Sequence, residues 1–358
     1  MATTTITPTP KVLEGEIDFQ VPTAGKSCRT WYRVIGDLHS GKRPLVALHG
    51  GPGVSSDYLF AYANITTLYG IPIIFYDQLG AGRSTHLPEK LGDASFWTIQ
   101  LFLDELDNLL AHFKIQDDYD VLGHSWGGML AACHALRNPS GLKRIAIMSS
   151  PPSVPLWVAE QNKLKSELPK EIQDIMKKHE EAGTTSDKEY EAAVQVFYDR
   201  HLCKLKPMPP DLAASFEGLE KDPTVYHTMY VMRLSFLRYD IVTFFFPFRN
   251  GPNEFYVIGT LKDWNIIDQL HKINVPTLLT NGRYDEATDT AVYPFFNNIP
   301  RVKWVQFSVS FFFFFSNSVF SRFLILDIMN KGIKPYVAPR RDGTSYGSCG
   351  PVFHTVNE

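Results

Sequence analysis

Two hydrophobic periods change places repeatedly along this chain. Short apolar runs of strand length, Pro44–Leu48, Ile71–Tyr76, Asp120–Leu122 and Arg144–Met148, alternate with segments whose apolar residues recur every three or four positions. Glu16–Val21 and Thr30–Gly36 predict a strand pair ahead of them, and the strand pattern resumes at Pro276–Asn281 and Lys303–Phe307. Thr98–Phe113 places Ile99, Phe102, Leu103, Leu106, Leu109 and Leu110 at helical spacing with acids on the other face, which predicts a crossover helix. Strands joined by such helices imply the α/β class, with a mostly parallel central sheet and helices on both faces. Each later strand ends in Gly, His, Asp or Ser, and open parallel sheets collect their ligands at the carboxyl ends of their strands.

From Pro151 to about Leu261 the strand pattern gives way to charged, helix-prone segments interrupted by the prolines at 207 to 210. This predicts a helical cap over residues 151–262, inserted between core parts at 1–150 and 263–308, with an atypical tail at 309–358. At 358 residues and 44% hydrophobic the chain can bury a core of that size. A formal net charge of -3, with scattered rather than blocked cations, provides no field for a polyanion and argues against nucleic acid. Cys28, Cys133, Cys203 and Cys349 lie far apart, which suggests neither a disulfide framework nor a zinc site and fits a reducing compartment. The polar, Pro/Thr-rich N-terminus lacks a charged start followed by an apolar stretch and reads as a frayed cytoplasmic end.

Candidate chemistry concentrates in three places. Gly123-His124-Ser125-Trp126-Gly127 stands between the apolar run YDVL and the small-residue helix GGMLAACHAL, the strand, sharp turn and helix context in which a G-x-S-x-G serine acts as nucleophile. An ordinary strand-to-helix turn is the bland alternative. His49-Gly50-Gly51-Pro52-Gly53 follows PLVAL, and residues without side chains let backbone N–H groups approach a developing negative oxygen. The motif geometry assigns one oxyanion donor to Gly51 and the other to Trp126, the residue after the nucleophile; a generic glycine turn is the competing reading. Asp285, in LLTNGRYDEAT, follows a strand and a glycine in the order Ser, Asp, His used by this arrangement, so it is the candidate triad acid. Glu286 and Asp289 read as solvated loop carboxylates.

HGGPG, then YDQLGAGRS at 76–84, then GHSWGG, in this order and spacing, resemble the proline iminopeptidases and the related aminopeptidases and amino-acid amidases. The resemblance extends through FWTIQLFLDELDNLL, GPNEF with IGTLKDW after it, and NGRYDEAT, covering roughly residues 11–229 and 250–308. It implies an α/β-hydrolase fold and a serine hydrolase that removes N-terminal residues, proline or other small apolar ones, from short peptides or amino-acid amides and esters. It implies no metal or organic cofactor. Cap acids in similar aminopeptidases pair with the free α-amine, which singles out Glu254; Glu191 and Glu217 are further cap acids that the sequence does not choose between. The alternatives are a small-ester or amide hydrolase of the same fold, and a hydrolase fold without catalysis that binds a ligand or partner.

Two segments depart from the family pattern. Tyr230–Arg249 is an aromatic insertion within the cap, and after VKWVQFS the chain runs into VSFFFFFSNSVFSRFLILDIMNKG where a histidine-bearing loop is expected. Both contain Phe-rich runs of the kind a translated pyrimidine tract produces, which predicts retained intron sequence. The only histidine after Asp285 is His354, in a tail of disordered composition, so it is a weak candidate for the triad base. Residues 309–329 are long enough for a membrane anchor, but Arg322 and Asp327 interrupt them and argue against one. Oligomeric state is not legible.

Overall fold

The computed structural model describes residues 10–185, 187–231 and 257–307. Within them eight strands form one sheet: β1 (Val12–Phe19), β2 (Cys28–Ile35), β3 (Leu45–Leu48), β4 (Ile73–Asp77), β5 (Tyr119–His124), β6 (Leu142–Met148), β7 (Thr277–Gly282) and β8 (Val302–Phe307). Their spatial order is β1-β2-β4-β3-β5-β6-β7-β8. The pairs β1/β2 and β2/β4 are antiparallel and the rest are parallel. β1 begins four residues before the expected Glu16, with Val12 and Leu13 exposed, because its partner rather than a buried face sustains it. Val12 pairs with Ile35 and Glu14 with Arg33, and the Glu14 carboxylate accepts from the Arg33 guanidinium.

Helices α1 (Asn64–Tyr69), α2 (Ile99–His112), α3 (Trp126–Leu136) and α9 (Asp289–Asn298) belong to the core, while α4 (Val154–Ser166), α5 (Lys170–Ala182), α6 (Lys188–His201), α7 (Pro210–Lys221) and the single turn α8 (Thr224–Tyr226) lie between β6 and β7. The Thr98 side chain caps α2 by accepting from the Leu101 N–H. The apolar stripe of α2 is buried as expected apart from the half-buried Ile99 in its first turn, but the acids do not all face outward: Glu105 is fully buried among the apolar residues. Its carboxylate accepts from the Thr30 hydroxyl and from the Leu79 N–H at 3.0 Å, and burial raises its pKa to about 7.

Two apolar clusters occupy the two faces of the sheet, and a third, of Leu168, Met176, Tyr190, Ala193, Val194 and Phe197, lies within α4–α6. The chain leaves and re-enters the core at one point, where Val154 N–H donates to the Trp264 carbonyl (2.9 Å) and Ile266 N–H to the Pro152 carbonyl (3.0 Å). Tyr230, the first residue of the expected insertion, is buried, and its carbonyl accepts from Ile258 and Gly259. The remainder of that insertion beyond Val231, and all of residues 309–358, lie outside the described residues. Among the described residues no helix is long and apolar enough to cross a membrane.

Candidate active site

In this strand order β3 connects outward to its neighbour β4, while β5 connects in the opposite direction to its neighbour β6. The loops that follow β3 and β5 therefore diverge and leave a crevice at their carboxyl ends. Both glycine motifs stand at its rim. Ser125 is the single residue between β5 and α3, with φ 52° and ψ −120°. That left-handed φ is costly for a residue with a side chain and is held by surrounding structure. Ser125 N–H donates to the Met148 carbonyl (2.9 Å), and its own carbonyl accepts from Gly128 N–H (2.8 Å) in the first turn of α3. From Tyr119 to Ala132 it is the only residue that is not buried.

The flanking glycines are required by space. A Cβ on Gly123 would lie 2.1 Å from the Gly127 carbonyl oxygen, and one on Gly127 would lie 2.2 Å from that of Leu48. At the start of α3 the N–H groups of Trp126 and Gly127 have no partner within the helix, and the helix dipole favours negative charge there. Across the crevice Gly51 has φ 112°, and a Cβ there would lie 2.7 Å from Gly53 N and 2.8 Å from Val54 N.

The three motifs are bound to one another. His49 Nδ1 donates to the Gly50 carbonyl (2.9 Å), and its Nε2 accepts from Gln78 N–H (2.8 Å). The Gln78 side-chain oxygen in turn accepts from the Trp126 indole N–H (2.9 Å). Burial lowers the His49 pKa, so the neutral tautomer that this pairing requires persists. Asp77, fully buried, accepts from Ser56 N–H (2.8 Å), from Arg83 N–H (2.9 Å) and from the Arg83 guanidinium (3.0 Å), while the guanidinium stacks on Trp31.

Asp285 lies past the end of β7, two strands from β5, which sets it about 10 Å along the sheet from Ser125. A histidine side chain between them is of the right size to contact both. The carboxylate is buried and accepts from the Ser149 hydroxyl, from Ala287 N–H (2.9 Å) and from Gly282 N–H (3.2 Å). Burial outweighs these donors and raises its pKa to about 6. Among the described residues no histidine bonds to it. Phe307, the last described residue, pairs with Gly282 and accepts from Arg283 N–H (2.7 Å), so the chain continues from this same corner.

Glu286 and Asp289 are not the solvated loop acids expected. Glu286 is buried, and Asp289 opens α9 and accepts from Asn281 (2.9 Å) and Gln306 (2.5 Å). Both belong to the packed turn that carries Asp285. Glu254 and His354 lie outside the described residues. Of the other cap acids, Glu191 is half-buried on α6, and Glu217 is exposed on α7 and paired with Lys221 (2.7 Å). Sequence reasoning missed Ser149, which holds Asp285 from the end of the intervening strand β6, and its place directly after that strand was the available clue.

Helices α7 and α8 lie against the glycine loops. The Ser55 hydroxyl donates to that of Ser215 (3.1 Å), a Cβ on Gly53 would touch Val225, and Gly92 N–H donates to the Thr228 hydroxyl (2.8 Å). His86 and Asp222 complete the seam at 2.5 Å. Elsewhere in the cap, His179, Asp187 and Glu189 bring potential metal-ligand atoms within 4.8 Å of one another. The Lys178 ammonium already neutralises Glu189 there, at 2.7 Å.

Comparison with known proteins agrees with this geometry. The model of the α/β-hydrolase fold family matches residues 43–317. Proline iminopeptidase of Saccharolobus solfataricus is 40% identical over 279 residues, spanning 78% of this chain and 80% of that protein. Proline iminopeptidase of Thermoplasma volcanium is 35% identical over 276 residues, 77% of this chain and 84% of its own. The crystal structure of the Mycobacterium smegmatis proline iminopeptidase superposes with a TM-score of 0.72 at 38% identity, covering 87% of this chain and 98% of that one. The crystal structure of VinJ does so with a TM-score of 0.75 at 45% identity, covering 87% and 97%. A crevice built from three interlocked motifs, on this sheet order and with relatives of this similarity, places the chain in the proline iminopeptidase family of α/β-hydrolases.

Proposed function

We propose that the chain is a serine aminopeptidase that releases an N-terminal residue, proline or another small apolar one, from short peptides or amino-acid amides. The observation that carries this reading is Ser125, half-buried at the rim of the crevice with a left-handed φ beside the free first turn of α3. Its hydroxyl attacks the carbonyl of the N-terminal residue, and the oxygen that becomes negative lies against the N–H groups of Gly51 and Trp126. A histidine takes the serine proton and passes it to the departing amine, leaving an acyl-enzyme that water cleaves by the same proton route in reverse. Asp285 fixes that histidine's tautomer and stabilises the imidazolium. Glu254 receives the α-ammonium of the substrate, and the cap, residues 151–262, closes over it.

The base in this scheme follows β8, where the sequence offers only His354. That observation favours a second reading, a fold that binds its ligand and turns it over poorly. Hydrolysis of proline and alanine p-nitroanilides, and of matching simple esters, separates the readings. The aminopeptidase reading expects turnover of the anilides, reduced by on the order of 10⁴ to 10⁶ in Ser125→Ala and by a similar factor in His354→Ala. Turnover of esters alone indicates an ester hydrolase. No turnover by the parent chain, with ligand binding intact, indicates the second reading.

A further inference from the structure

We propose that Tyr58 is a positioning residue that sets the direction of the Gly51 N–H; the inference rests on the reading of Gly51 and Ser125 given above. Gly50 N–H donates to the Tyr58 hydroxyl at 2.6 Å, and that hydroxyl stands 2.7 Å from His124 Nδ1. A phenol has one proton. The bond between that hydroxyl and His124 Nδ1 carries one proton, and which of the two atoms donates it follows the His124 tautomer. Burial lowers the His124 pKa to about 3 and raises that of Tyr58, so both groups stay neutral across the ordinary pH range.

The chain of bonds runs from the His49–Gly50 peptide to the residue before Ser125, joining the two loops that line the crevice. Gly50 is gripped at both ends. Its N–H is held by Tyr58, and its carbonyl accepts from His49 Nδ1 at 2.9 Å. The Gly50 carbonyl and the Gly51 N–H belong to one planar peptide and point in opposite directions, so fixing the carbonyl aims the N–H. Tyr58 holds the peptide on the other side of Gly50, so without it the single bond from His49 Nδ1 is left to restrain a pair of permissive glycines. The junction has no spare volume: a Cβ on Gly50 would lie 3.0 Å from the Tyr58 hydroxyl, 3.2 Å from His124 Nδ1 and 3.3 Å from Ser125 Cβ. Tyr58 is itself braced, because its N–H donates to Ser215 of α7 at 3.3 Å and Ser56, two residues before it, bonds to Asp77.

The test compares Tyr58→Phe with Tyr62→Phe in the full chain. Tyr62→Phe removes a buried hydroxyl one turn away that donates to Met148 Sδ (3.5 Å). Tyr58→Phe is expected to lower kcat on proline p-nitroanilide about tenfold while KM stays within about twofold, since the donor acts on the transition state. Amide exchange at Gly50 is expected to quicken by at least about tenfold, and the ¹⁵N signature of His124 to shift as its tautomer balance changes. His124→Asn, cutting the chain at its other end, is expected to release Gly50 likewise. Tyr62→Phe is expected to move none of these. Unchanged Gly50 exchange and His124 tautomer in Tyr58→Phe would overturn the proposal, as would kcat and KM shifts shared with Tyr62→Phe. A parent chain without turnover would defeat the functional reading instead, with exchange and tautomer still deciding the anchor.

Discussion

At the carboxyl ends of β3, β4 and β5, buried polar groups are paired by side chains from three separate loops, whereas past β7 one buried carboxylate is held, among the described residues, by neutral donors. In the first corner, Asp77 has the Arg83 guanidinium at 3.0 Å, and His49, Gln78 and Trp126 satisfy one another in sequence. In the second, Asp285 has a hydroxyl and two backbone N–H groups, and its pKa is raised to about 6. A carboxylate beside a fixed cation is finished. One surrounded by neutral donors in a dry site still gains from a positive charge beside it, which is what the imidazolium of the proposed mechanism would supply. The Ser125 corner is thus organised as rigid scaffold, and the Asp285 corner as an electrostatic half-site.

The sharpest way to break the first corner is Gly127→Ala. The new Cβ would stand 2.2 Å from the Leu48 carbonyl oxygen and 2.7 Å from that of His49, both backbone atoms that no rotamer change can move. The expected loss is on the order of 4 kcal/mol, at the upper end for an overpacked site, read as a fall in the urea midpoint. A variant of parental stability would mean that the β3 and β5 loops are not interlocked as described.

The acid corner yields a pH prediction of the next size. The folded pKa of Asp285, about 6, lies above that of a free aspartate. The fold is therefore at its strongest, as far as this group is concerned, below about pH 4, and that advantage is lost as pH rises through about 6. The magnitude is about 3 kcal/mol. Asparagine does not titrate, so the stability margin of the parent chain over Asp285→Asn should shrink by about that amount between pH 4 and pH 7. On the proposed mechanism, in which Asp285 orients the histidine, turnover in the variant should fall by about 10⁴. A margin independent of pH would show that Asp285 is already paired with a cation.

Much of this contrast was legible beforehand, and unevenly. All eight strands were anticipated, with ends displaced by a few residues, because apolar runs flanked by Gly, Pro and Asp mark buried parallel strands. Ser125, Trp126, Gly51 and Asp285 stand out in sequence because their turns demand particular residues. What stayed hidden is the pairing between distant segments. Nothing along the chain links Tyr58 to His124 or Ser149 to Asp285, since those contacts arise only once the sheet sets β3, β5, β6 and β7 side by side. Glu105 was misjudged for another reason: it shares the helical face of Phe102 and Leu109, and its charge outvoted its spacing. Glu286 was misread as loop surface because the turn bearing Asp285 is packed beneath α4, where Gln161 donates to the Glu286 carbonyl at 2.8 Å.

The smallest expected effect lies where the first corner meets the cap. His86 Nδ1 is 2.5 Å from Asp222 of the cap and its Nε2 is 3.0 Å from the Gly82 carbonyl, two acceptors that are both satisfied only by the doubly protonated ring. The bond to Asp222 is the main cause that raises the His86 pKa. A histidine shifted this way contributes stability that is full below its ordinary pKa of about 6.5 and is lost as pH rises through the raised folded value. His86 is a third exposed, so solvent screens the pair and the contribution is about 1 kcal/mol or less. Asp222→Asn should therefore destabilise the chain slightly at pH 6 and leave it unchanged at pH 9, with 0.5 M salt reducing the difference. Equal destabilisation at both pH values would mean that Asp222 acts through its bonds to Thr224 rather than through the charged ring, and that the cap is seated by packing alone.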